Sequence, residues 1–270
     1  MRVLIACEFS GTVRDAFIAR GHDAWSCDLL PTEKPGPHYQ GDVLDLIEGW
    51  QPVMFSADCD PDGDGWCEVR SCDPCDCPCL GPTQDGVEYK WANGVMLGRH
   101  EDHPRWDLMI AHPDCTYLTN SAAWAFSDGP YHQRVRPGTL VGAARRDARE
   151  AALAFVRQLL DAPIGMICIE NPAGSIGSMI RPASQFIQPH QFGEDASKKT
   201  GLWTIGLPRL KQTKLIPPRI INGRPRWANQ TDSGQNKLTP GDSRWIERAR
   251  TYQGIADAMA DQWGTEEARS

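Results

Sequence analysis

Three short apolar runs, residues 3–7, 106–111 and 164–169, do most to limit what this chain can fold into. Each is short for a helix, has no polar alternation and stops at a polar residue. Runs of this kind are strands buried on both faces, as in parallel sheets. Helical patterns fill the intervals. Residues 12–20 follow a Ser10-Gly11 turn, and residues 141–160 form a long amphipathic stretch rich in Ala and Arg. A second strand is expected at 24–27, ending at Asp28, and a short helix over 45–50 after Gly41-Asp42-Val43. Strands alternating with helices predict a Rossmann-like, doubly wound, mostly parallel α/β sheet. Ligands in such sheets gather at the carboxyl ends of the strands. That directs attention to residues 8–11, Asp28, residues 112–120 and Glu170-Asn171-Pro172.

Residues 56–104 break the pattern and are expected to form a cysteine-rich insertion in a core made of residues 1–55 and 105–197. Six of the ten cysteines fall here: Cys59, Cys67, Cys72, Cys75, Cys77 and Cys79. The spacings Cys72-x-x-Cys75 and Cys75-x-Cys77-x-Cys79 let thiolates converge on one ion, and tetrahedral sulfur coordination favours Zn²⁺. A structural zinc would explain how a Gly- and Asp-rich segment folds. His100 and His103 are further candidate ligands, and a metal-free cysteine-rich loop is the alternative. Asp58, Asp60, Asp62 and Asp64 lack the terminal Glu of an EF-hand loop, so calcium is not expected.

The net charge of -7 hides a split. Residues 198–250 hold 12 Lys/Arg and 3 Asp/Glu, whereas residues 1–197 hold 15 and 28. A basic segment on an acidic body suits either phosphate contact or a solvated face. Trp203, Trp227 and Trp245 lie among its basic residues, which suits stacking on bases or packing on the core. Residues 243–263 are expected to be helical with a break near Gly254, so that residues 251–270 return to the core. No apolar run approaches the ~20 residues of a membrane span. The N-terminal run is short and is interrupted by Glu8. A cytoplasmic protein is expected, with no obligate protein partner.

The strand ends offer chemistry. Cys115 follows the second apolar run, and Glu170 follows the third. Singly, each has an ordinary explanation, a small buried thiol or a surface acid. Together they can flank one substrate as nucleophile and hydrogen-bond partner. Asp28 is placed to accept from ribose hydroxyls. Asp42 suits an adenine amine or, equally, a helix N-cap.

Several colinear segments carry a family resemblance: Glu8-Phe9-Ser10-Gly11, Asp28, Gly41-Asp42-Val43, Pro113-Asp114-Cys115 and Glu170-Asn171-Pro172. It continues through Gln188-Pro189-His190-Gln191-Phe192-Gly193, Ser197-Lys198-Lys199-Thr200-Gly201-Leu202-Trp203 and Tyr252-Gln253-Gly254-Ile255-Ala256-Asp257-Ala258-Met259. The chain resembles the DNA cytosine-5 methyltransferases, most closely the compact phage and prophage methylase-like proteins. The resemblance implies an S-adenosylmethionine-dependent methyltransferase fold, with Glu8, Phe9, Ser10, Gly11, Asp28, Asp42 and Pro113 around the cofactor. It implies Cys115 as the nucleophile on C6 of a flipped cytosine and Glu170 as the partner of the ring edge. It also implies DNA contact through Lys198, Lys199, Arg224 and Arg226, in a bacterial or phage-infected cell. The sequence departs from the family at Asp114, where Pro is usual. Such a carboxylate should raise the thiol pKa of Cys115. The first glycine motif is poor, Glu-Asn-Pro replaces Glu-Asn-Val, and a large target-recognition domain is missing. Two alternatives follow: a zinc-stabilised DNA-binding protein without turnover, and an enzyme that modifies C5 of a pyrimidine differently.

Overall fold

The computed structural model describes residues 1–52, 88–93, 95–99, 105–132, 134–238, 244–265 and 268. The six clustered cysteines, with His100 and His103, lie outside these. The described elements run β1 (Arg2–Ala6), α1 (Thr12–Ile18), β2 (Asp23–Asp28), β3 (His38–Gln40), α2 (Val43–Ile47), β4 (Gln51–Pro52), β5 (Glu88–Ala92), β6 (Val95–Arg99) and β7 (Leu108–Ala111). They continue as α3 (Gly142–Leu160), β8 (Met166–Pro172), α4 (Ser175–Met179), β9 (Gln185–Ile187), β10 (Thr200–Ile205), β11 (Arg219–Ile221), β12 (Arg224–Arg226), α5 (Arg244–Ala249) and α6 (Gln253–Trp263).

Seven strands form one sheet in the order β3-β2-β1-β7-β8-β10-β9. The first five are mutually parallel. β10 is antiparallel to both β8 and β9, so β9 runs with β8. The fold is α/β with a mostly parallel central sheet, compatible with a Rossmann-like architecture. The strand order reverses between β1 and β7, which makes that junction the switch point of the sheet.

The apolar runs are continuous because both faces of the sheet are covered. Val3, Ile5, Leu108, Ile110, Met166 and Cys168 pack under α1 and α6. Leu4, Ala6, Met109, Ala111, Ile167 and Ile169 pack under α2 and α3 on the other side. Arg20 ties α1 to α6 through Asp257 and Asp261 at 3.4 and 2.5 Å.

Several elements differ from the sequence-based expectation. β8 begins two residues later than expected and runs on through Glu170, so that side chain stands on the strand. α2 starts directly at Val43 because Asp42 caps it. Residues 200–205, expected in the basic segment, form an interior strand in which Trp203 is fully buried. Residues 88–92 and 95–99, expected within an irregular insertion, pair as antiparallel strands, and β6 pairs with β4 and buries Leu97 in the core. The closing helical region breaks at residues 250–252, before Gly254. Among the described residues, no helix is long and apolar enough to cross a membrane.

One buried charge shapes the loop between β2 and β3. Arg14 of α1 is fully buried. It donates to Ser26 and Thr32 hydroxyls at 3.2 and 3.3 Å, to the carbonyls of Lys34 and Pro35 at 3.2 and 3.0 Å, and to Asp15 at 2.9 Å. Gly11 sits against it at φ 67°, and a Cβ there would lie 2.6 Å from the guanidinium. Arg14→Met leaves these acceptors without their donor and is expected to destabilise the protein by about 3 kcal/mol, read from urea unfolding.

Candidate functional site

The parallel strands deliver their polar ends to one edge, on both sides of the switch point. On the β2–β3 side stand Asp28 and Asp42, and on the β7–β8 side stand Cys115 and Glu170. β1 ends between them at Cys7, which turns the chain at φ 57°, an uncommon conformation for a residue with a side chain. Burial, followed by the charges of Asp28, Asp42 and Asp114, pushes the Cys7 thiol up to about 12. Three carboxylates therefore converge on this one strand end.

Glu8 and Ser10 are buried in the turn before α1. Glu8 accepts from the Val13 and Arg14 backbone N–H groups at 2.8 and 3.3 Å and from the Ser10 hydroxyl at 3.0 Å. It thus caps α1. The Phe9 carbonyl accepts from Glu33 N–H at 2.8 Å. Asp28 accepts from the Leu30 backbone at 2.9 Å, and burial raises its pKa. Asp42 is exposed and caps α2 through Leu44 N–H at 3.0 Å.

The Cys115 loop is clamped to β8 and α4. Asn171, buried on β8, donates its Nδ2 to the Pro113 carbonyl at 2.7 Å. Ser175 N–H donates to the Leu118 carbonyl at 2.7 Å. Gly174 makes this approach possible, since a Cβ there would fall 1.9 Å from that same carbonyl oxygen. From α3, the buried Arg145 donates to the Thr116 carbonyl at 3.0 Å and lies over the Tyr117 ring at 5.2 Å. Asp114 is exposed and turned onto Thr116, accepting from its N–H and hydroxyl at 2.9 and 2.7 Å. Its charge still reaches the sulfur. Burial, then Asp114 and Glu170, raise the Cys115 thiol, while Lys198 and Arg248 oppose them. The direction expected from the Asp114-Cys115 dipeptide is the one found.

Glu170 sits beside His112, whose Nδ1 lies 3.1 Å from its Oε2; both side chains are nearly buried. Facing a carboxylate, Nδ1 carries the hydrogen. His112 Nε2 is buried without a partner. Burial works to raise the Glu170 pKa, but Lys198, His112 and the Thr200 hydroxyl outweigh it and hold the carboxyl at about 2. His112 was not singled out from the sequence. Its signal is alternation: residues 108 and 110 face the same side as 166 and 168, so 112 and 170 meet on that side one pair later.

The expected DNA contacts separate. Arg224 and Lys199 are exposed. Arg226 is occupied by the carbonyls of Asp232 and Ser233 at 3.1 and 3.4 Å. Lys198 is half-buried, and its ammonium donates to the Arg250 carbonyl at 3.5 Å. Trp203 packs in the core and donates to the Arg181 carbonyl at 2.7 Å. Trp227 stacks on His190 with centroids 4.0 Å apart. The Trp245 side chain lies outside the described residues. Among the described residues, no group of three or more His, Cys, Asp or Glu side chains is arranged to hold a metal ion.

Two outcomes are expected. Gly174→Ala should cost about 1–3 kcal/mol in urea unfolding, because the Leu118 carbonyl must retreat. Glu170, with its pKa depressed on folding, stabilises the protein above its ordinary 4.5, and that contribution is lost as pH falls toward about 2. Glu170→Gln should therefore flatten part of the fall in urea midpoint over that window. No family model, curated protein or solved structure matches the chain, so the chemistry of the site is read from its own residues.

Proposed function

We propose that the protein is an S-adenosylmethionine-dependent DNA cytosine-5 methyltransferase. The observation that carries this is the placement of Cys115 in the loop that follows β7 and of Glu170 on the adjacent parallel strand β8, with the His112–Glu170 bond at 3.1 Å fixing the carboxylate. The sheet, with its last strand reversed between β8 and β9, agrees with the fold that the family resemblance implies.

The two halves of the edge suit two ligands. Asp28, at the end of β2, is placed for ribose hydroxyls, and Asp42 for an exocyclic amine. With Asp114 they make this edge negative, which suits a cofactor carrying a sulfonium and an ammonium group. When bound, that cofactor supplies an electrophilic methyl group. On the other half, Cys115 as thiolate adds to C6 of a flipped cytosine, forming the S–C6 bond and pushing electrons toward C5. Glu170, kept anionic by Lys198 and His112, accepts from the exocyclic amine and orients the ring. C5 would then form a bond to that methyl group as the methyl–sulfonium bond breaks; a base would take the C5 proton, and the C–H electron pair would restore the C5–C6 double bond and expel the Cys115 thiolate. The Asn171 and Gly174 clamp holds the thiol in place, since a misplaced nucleophile loses rate steeply.

A second possibility, a DNA-binding protein without turnover, is favoured by the raised Cys115 thiol. Labelled S-adenosylmethionine with cytosine-containing DNA separates the two. Transfer by the parent protein and a loss of at least about 10³-fold in Cys115→Ser is expected. Absence of incorporation across diverse DNA would refute the proposal, and equal incorporation by Cys115→Ser would remove the nucleophile assignment.

A further inference from the structure

The β11–β12 hairpin turns through Asn222-Gly223, whose φ values of 50° and 73° suit the tight two-residue turn that joins twisted strands. Its register pairs Arg219 with Arg226, Ile220 with Pro225 and Ile221 with Arg224. Paired residues share a face, and successive pairs alternate between faces. One face therefore carries Arg219, Ile221, Arg224 and Arg226, and the other carries Ile220 and Pro225.

The arginine face is packed on the chain's own turn at residues 230–234. Arg219 donates to the Gln230 carbonyl at 3.4 Å and lies 3.6 Å from the Asp232 carboxylate. Arg226 donates to the Asp232 and Ser233 carbonyls at 3.1 and 3.4 Å. Gly234 makes room for that guanidinium, since a Cβ there would lie 3.0 Å from it. Arg219 and Arg226 thus hold the hairpin in place. The opposite face looks outward: Ile220 is 64% exposed, and Pro225 is exposed across from it.

The residues that follow β12 anchor the hairpin to the sheet edge that carries Glu170. Trp227 stacks on His190 with centroids 4.0 Å apart. Ala228 N–H donates to Asp195 Oδ1 at 2.8 Å. Ser197 N–H donates to Asn229 Oδ1, and Asn229 Nδ2 returns a bond to the Ser197 carbonyl, both at 2.9 Å. Ser197 lies just ahead of β10, whose first residue pairs with Pro172 at the end of β8.

Residues 206–238 contain seven Lys/Arg and one acid, Asp232. A basic surface of this kind attracts a polyanion. An exposed Ile–Pro pair gains nothing from phosphates, but it gains from the apolar faces of stacked bases. Ile and Pro are among the side chains that wedge between base steps.

We infer that Ile220 and Pro225 form a wedge that enters between base pairs of duplex DNA, while the surrounding cations hold its phosphates. The inference deepens the proposed function and rests on DNA being the substrate. The substrate class is the duplex, since a single strand offers no stack of base pairs to part.

Unwinding tests this without knowledge of the target sequence. A nicked plasmid is closed by ligase in the presence of the full-length protein, and its linking number is read after the protein is removed. The parent protein at saturation is expected to lower the linking number. Ile220→Ser should remove most of that shift and weaken binding to a duplex oligonucleotide about threefold to tenfold. Its affinity for a single strand should stay as in the parent. Ile220→Leu should keep the shift. A duplex with a mismatched pair, already easier to unstack, should bind Ile220→Ser and the parent alike. Pro225→Ser serves as a second variant, with circular dichroism to check folding of each. A parent protein that binds duplex without changing the linking number would overturn the inference, as would an undiminished shift in folded Ile220→Ser and Pro225→Ser. So would loss of binding to phosphatidylserine vesicles in Ile220→Ser with duplex binding unchanged, which would make the pair a membrane contact. Unwinding without methyl transfer would sink the proposed methyltransferase and leave the wedge standing, and methyl transfer without unwinding would do the reverse.

Discussion

The Cys115 loop is held by a strand it does not belong to. Cys115 follows β7, but Asn171 on β8 fixes the Pro113 carbonyl at 2.7 Å, and the Gly174–Ser175 backbone fixes Leu118. A loop leaving a strand end has many conformations, and ordering it costs about 1–2 kcal/mol per residue. Three anchors, with Arg145 from α3 as the third, meet that cost along the residues that flank the thiol. Because Asn171 and Glu170 are neighbours on one strand, the same short segment sets the loop and presents the carboxylate. The spacing of thiol and acid is thus built into the pairing of β7 with β8.

Charge at the site is arranged by alternation rather than by sequence proximity. His112, Glu170 and Thr200 come from the end of β7, from β8 and from β10, and share one face because each continues that face past its apolar part. The apolar residues of that face, Ile110, Cys168 and Leu202, pack under α1 and α6. Toward the strand ends the same positions become polar, and His112, Glu170 and Thr200 lie there nearly buried.

This explains what could be read in the sequence. The strands around residues 3–7, 106–111 and 164–169 stood out because burial on both faces leaves a continuous apolar signature, and Cys115 and Glu170 stood out as their endings. β10 escaped notice because Thr200–Ile205 is short, follows two lysines and holds only three strongly apolar residues. β9 has three residues, too few for a period. The capping role of Asp42 was foreseen as one of two options, whereas that of Glu8 was not, because its partners are backbone N–H groups five and six residues on. Nothing in the sequence distinguishes Arg14 from an arginine on a helix surface. Only the fold of residues 26–35 around it makes it a buried hub.

The cap made by Glu8 has a consequence for ligand choice. In dinucleotide-binding proteins of Rossmann-like architecture, the first helix offers free N–H groups and the positive end of its dipole to a pyrophosphate. Here those groups, on Val13 and Arg14, are already taken by a carboxylate from the same chain. A phosphate approaching this turn would meet a resident carboxylate on the Val13 and Arg14 N–H groups. The N-terminal end of α1 is thus turned onto a side chain of its own chain instead of being offered to a pyrophosphate.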